Sequence, residues 1–104
     1  VSDVTTTPDA AAALAALRAR IDTLDAELVA LLARRFAVTD DIGQLKARHA
    51  LPPADPAREA AQRARLHALA TDAGLDPAIA ETVLRTIIDA VLERHARWRH
   101  QASD

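Results

Sequence analysis

The chain has 104 residues, half of them hydrophobic, and a formal net charge of −2 from 13 basic and 15 acidic side chains. That length suits a single domain, and the absence of cysteine removes disulfides and thiolate metal sites. The slight negative charge and the two aromatic residues argue against a nucleic-acid binder, which needs basic excess or rings to stack on bases, and no apolar run approaches the ~20 residues of a membrane span.

Residues 1–9, with Thr5, Thr6, Thr7, Pro8 and Asp9, read as a disordered leader. They lack the basic-then-apolar order of a secretory signal, so the expected location is cytoplasmic. One helical domain is expected over residues 10–100. Alanine, leucine, arginine and glutamate dominate, the composition of long helices. The hydrophobic half of the chain is weaker than it looks, because 26 of those residues are alanine. Alanine buries little area, whereas a fully buried Leu or Ile contributes roughly 1.5–3 kcal/mol. A core this thin is expected to be completed by a second copy.

The first predicted helix runs from about residue 10 to 48. Leu14, Leu17, Ile21, Leu24, Leu28, Leu31, Val38, Ile42 and Leu45 repeat at steps of 3, 4 and once 7, a heptad seam. A straight helix of that length would span roughly 55–60 Å at ~1.5 Å per residue, so it needs partners along its whole length. Pro52 and Pro53 break the pattern. Asp55-Pro56 then supplies an N-cap followed by a first-turn proline, opening a second helix that stops near residue 72, before Gly74. Asp76-Pro77 repeats the signal and opens a third helix to about residue 99, with Ala80, Leu84, Ile87, Ile88, Val91 and Trp98 on one stripe. The fold class is all-α, a three-helix chain with a long first helix, entwined as a helical-bundle homodimer.

Several residues sit badly in a plain bundle. Arg35 falls where the seam calls for Leu or Val. An unpaired charge in such a core costs several kcal/mol, although register drift would also carry it to the edge. Lys46 is the single lysine against 12 arginines. It lies almost three turns after Arg35, on the same side, so the two can share a small anion; a solvated lysine is the plainer alternative. Asp55, Arg58 and Glu59 gather at the start of the second helix, where Arg58 in the first turn is not what the helix dipole prefers and can serve a ligand; a plain Asp55 cap beside a solvated Arg58 is the alternative. His95 lies on the apolar stripe of the third helix, either as a satisfied core histidine or as part of a site. Arg18 is roughly 25 Å from Arg35 along one straight helix, so both reach one ligand only across an antiparallel pair of chains. No nucleophile triad or glycine-rich phosphate loop is present. Concentrated Arg and Lys suit a dicarboxylate substrate, since Arg grips a carboxylate through two hydrogen bonds.

Five segments in order carry a resemblance. Leu17-Arg18-Ala19-Arg20-Ile21-Asp22-Thr23-Leu24-Asp25 resembles an "LRxxIDxLD" opening, and Leu31-Leu32-Ala33-Arg34-Arg35 an "LLxxR" segment. Ile42-Gly43-Gln44-Leu45-Lys46 resembles "IGxxK", Asp55-Pro56-Ala57-Arg58-Glu59 resembles "DxxRE", and Ile87-Ile88 opens a similar C-terminal helix. Together, over about residues 14 to 98, they resemble the all-helical chorismate mutases of the intertwined-dimer class.

The resemblance implies an isomerase of the shikimate pathway that converts chorismate, a dicarboxylate, to prephenate in one pericyclic step, with no metal and no cofactor. It implies a homodimer in which Arg18 enters the partner's site. Arg18 and Arg35 would hold the substrate carboxylates, Lys46 would donate to the ether oxygen, and Arg58 would support the carboxylate end. Glu59 and the backbone at Asp55 would meet the ring hydroxyl. Two positions depart from the family pattern. His95 stands where glutamine is usual, which predicts a rate that changes between pH 5 and 8. Val91 stands where serine is frequent, so one substrate contact would be missing. The sister activities on this scaffold, isochorismate pyruvate lyase and 4-amino-4-deoxychorismate mutase, remain alternatives, as does a non-catalytic helical dimer or adaptor built on the seam.

Overall fold

The computed structural model describes residues 7–103, with side chains placed for residues 7–98. Three helices make up the chain: α1 (Pro8–Arg48), α2 (Pro56–Ala73) and α3 (Pro77–Ser103). No strand occurs among the described residues. None of the three helices is long and apolar enough to cross a membrane.

Each helix start has a local cause. The Thr7 hydroxyl accepts from the Ala10 N–H at 3.1 Å, so Thr7 caps α1 and Pro8 takes the first helical position. The helix therefore begins two residues before the expected start, inside the predicted leader, while residues 1–6 of that leader lie outside the described residues. At the other end Ala50 takes a left-handed conformation with φ 52°. The Leu51 N–H then reaches back to the Lys46 carbonyl at 2.9 Å, closing the last turn of α1. Asp55 caps α2 through its carboxylate, which accepts from the Arg58 N–H at 3.1 Å. Gly74, at φ 76°, ends it in the same left-handed way. Asp76 opens α3, with its carboxylate accepting from the Ala78 N–H at 2.9 Å. Past residue 99 neither Gly nor Pro intervenes, and α3 continues to Ser103.

The chain divides into two compact units, the first ending at Arg35 and the second beginning at Phe36. In the second, α2 packs on α3, and Ala70, Ala80 and Leu84 form the buried apolar set. Small side chains let the two helices approach closely but bury little area. In both units the seam residues of α1 stay open: their exposure runs from 42% at Ile42 to 60% at Leu24.

Candidate active site

The second unit holds a polar cluster where the C-terminal half of α1 meets the C-terminal half of α3. Gly43 and His95 are both buried there. The His95 Nε2 lies 2.8 Å from the Thr39 carbonyl. A carbonyl only accepts, so Nε2 carries the proton and donates. The imidazole stacks on Trp98, with ring centroids 5.7 Å apart and 26° between planes. A Cβ on Gly43 would overlap the His95 ring and come within 2.8 Å of Trp98 Cζ3, so only glycine leaves room for the imidazole against α1.

Beside this ring, Arg94 binds Asp40 with two parallel hydrogen bonds, Nε at 2.9 Å and Nη2 at 2.7 Å. Its guanidinium also lies 5.9 Å from the Phe36 ring centre and 5.6 Å from that of Trp98. The Arg94 hydrogen bonds hold the Asp40 carboxyl below the ordinary aspartate value. Burial opposes them, and the charges of Arg94 and His95 assist. The same pairing raises Arg94 above its usual value.

Lys46, near the end of α1, is half-buried, and its Nζ donates to the Pro53 carbonyl at 3.2 Å. This bond ties the lysine across the α1–α2 loop rather than leaving it free in solvent. Arg58 is exposed in the first turn of α2, with its backbone N–H already engaged by Asp55. Glu59 next to it is half-buried, as is Val91 on α3. In the first unit Arg18 is exposed and Arg35 half-buried. The second unit thus carries Lys46, Asp55, Arg58, Glu59, Val91 and His95, and the first carries Arg18 and Arg35.

Among the described residues the ion pairs are Arg94–Asp40 and Arg97–Glu93. Arg18, Arg35, Lys46 and Arg58 therefore have no carboxylate partner there. The same holds for Arg20, Arg34, Arg48, Arg63, Arg65 and Arg85, so lack of a partner does not by itself mark a site; Arg18 and Arg35 in the first unit and Lys46 and Arg58 in the second are set apart by the motifs that carry the resemblance. A cleft of about 310 Å³ lies elsewhere, between α2 and α3, and its lining includes Arg63, His67 and Glu81 but none of the candidate site residues. It is an open furrow between two helices. A smaller cleft of about 90 Å³ includes Glu59.

Sequence reasoning missed the Asp40–Arg94 pair and the Thr39 carbonyl. The pair spans 54 positions and leaves no local pattern. Gly43 did carry a signal, since a glycine inside an otherwise helical seam demands a packing reason.

Residues 17–96 match the family model for chorismate mutase type II. The chain belongs to that family. Among curated proteins, this type II mutase-family chain is 39% identical over 77 residues to a T-protein of Enterobacter agglomerans, covering 74% of this chain and 21% of that protein. It is 37% identical over 85 residues to a 4-amino-4-deoxychorismate mutase of Streptomyces pristinaespiralis, covering 82% of this chain and 66% of that protein. A T-protein of Haemophilus influenzae is 40% identical over 73 residues, with 70% and 19% covered. The chain spans about a fifth of the T-proteins and just under two thirds of the Streptomyces protein. The stretch that matches the chorismate mutase family model contains every residue singled out for the site, from Arg18 to His95.

Proposed function

We propose that the protein is a chorismate mutase: it binds chorismate and converts it to prephenate, breaking the ether C–O bond as a C–C bond forms, with no atom gained or lost. The observation that carries this reading is the match of residues 17–96 to the chorismate mutase type II family model, a stretch that holds Arg18, Arg35, Lys46 and Arg58. Arg18 and Arg35 grip the substrate carboxylates and fold the molecule toward its reactive geometry. Lys46, with its position pre-set by the Pro53 carbonyl, meets the negative charge that grows on the ether oxygen. Arg58 supports the carboxylate end, and Glu59 and the backbone at Asp55 meet the ring hydroxyl. His95 is the second donor to the ether oxygen, and Val91 lines the pocket beside it. The chemistry asks only for positioning and fixed charge.

The working form is a homodimer entwined through α1, with Arg18 entering the partner's site, and it acts in the cytoplasm. The open seam from Leu14 to Leu45 supports the dimer, since a second copy of the same face would cover it. The Streptomyces relative supports a second reading, in which the ring carries an amino group in place of the hydroxyl; the carboxylates of Asp55 and Glu59 would suit an ammonium there.

Both readings are tested by following chorismate, its 4-amino analogue and isochorismate with the wild type, Arg35→Ala and Lys46→Ala. Prephenate from chorismate is expected. Lys46→Ala should lower kcat by about 10²–10³, the usual cost of losing one donor to developing negative charge. Preferential turnover of the amino analogue would favour the second reading, and inactivity on all three would leave a non-catalytic helical dimer.

A further inference from the structure

The donor at position 95 has a charge requirement that the geometry sets. A neutral imidazole has one N–H and one lone pair. In His95 the N–H is on Nε2 and is committed to the Thr39 carbonyl at 2.8 Å. Turning the ring over would place carbon against that carbonyl, and the Trp98 stack and the wall at Gly43 leave little room for any other tilt. Nδ1 makes no hydrogen bond among the described residues. No buried side-chain nitrogen there lacks a partner, so Nδ1 keeps access to solvent.

We propose that His95 serves the reaction only as an imidazolium, donating from Nδ1, and that Gly43 is the positioning residue that enforces this by holding Nε2 against α1. The inference rests on the mutase reading above. In the neutral ring Nδ1 presents a lone pair to the ether oxygen, which repels the charge that develops there. In the charged ring it presents a proton and a positive charge. The charged groups beside the ring are Asp40 on α1, whose charge couples to His95, and Arg94 on α3, which binds Asp40 with two hydrogen bonds. A bound dicarboxylate would add negative charge that favours the imidazolium.

The test is kcat/KM for chorismate across pH 5 to 8 with the intact wild type, His95→Gln and Gly43→Ala, together with ¹⁵N NMR of histidine-labelled protein, the His95 signals being identified by their loss in His95→Gln. The wild-type rate is expected to fall with rising pH, approaching about tenfold per unit once the neutral ring dominates, while His95→Gln stays flat. NMR at the alkaline end should show the Nε2–H tautomer. Gly43→Ala should lose both the rate and the pH dependence, with mixed tautomers at His95. If Gly43→Ala does not fold, the comparison with His95→Gln decides alone. A flat profile in an active wild type, or an Nδ1–H tautomer, overturns the proposal. A wild type inactive on chorismate at every pH overturns the mutase reading instead, and NMR then decides the tautomer by itself.

Discussion

Asp40 and Arg94 show how one pair of side chains makes stability depend on acidity. Asp40 is held below its ordinary value of 3.8, first by the hydrogen bonds from Arg94. A carboxyl lowered by folding adds stability that is complete above the unfolded value and is lost as pH falls through the folded one. The expected outcome is a wild-type Tm that drops on acidification below about pH 4, with a shallower drop for Asp40→Asn. Thermal melts of both proteins between about pH 3 and 6 check it; parallel curves would mean that the pair stabilises nothing. Nothing in the neighbourhood of either residue announces this contact, because only the packing of α3 on α1 brings them together. Lys46 was different: its isolation among 12 arginines marked it in the sequence, and the structure adds the Pro53 carbonyl that holds it.

At the level of the helices, the ends were more legible than the faces. Asp55-Pro56 and Asp76-Pro77 each join a capping side chain to a residue whose missing N–H costs nothing in the first turn, and both open helices as expected. Thr7-Pro8 has the same grammar, but the run of threonines before it reads as leader, and the cap emerges only from the Ala10 hydrogen bond. The C-terminal stops differ in quality. Gly74 adopts its left-handed conformation without penalty, whereas Ala50 holds φ 52° with a Cβ in the way. Ala50→Gly is therefore expected to stabilise the protein by about 1 kcal/mol, the strain of a left-handed alanine. Chemical denaturation would show it as a raised midpoint at unchanged slope. An unchanged midpoint would mean that the loop relaxes without cost.

For the whole molecule, the open seam along α1 and the placement of Arg18 lead to a mixing experiment. Arg18→Ala and Lys46→Ala are each expected to be nearly inactive. If Arg18 crosses between copies, a mixed dimer has one intact site, with Lys46 from one chain and Arg18 from the other. Random reassortment should then restore about a quarter of the wild-type activity. No recovery after exchange, checked by mass, would mean that Arg18 serves its own chain. The periodicity of the seam made a partner foreseeable, but a repeat of apolar residues does not encode which face of the partner it meets.

The distribution of cations has a further consequence for labelling. Arginine carries the charge nearly everywhere, and the one lysine side chain of the sequence is tied down at Pro53, beside the first turn of α2. Reagents that acylate or alkylate amines thus find, apart from an α-amino group, a single target in these 104 residues. If Lys46 meets the substrate as proposed, ordinary bioconjugation chemistry becomes an occupancy probe: bound substrate should slow attachment at that amine, and the rate of attachment then reads how often the site is empty.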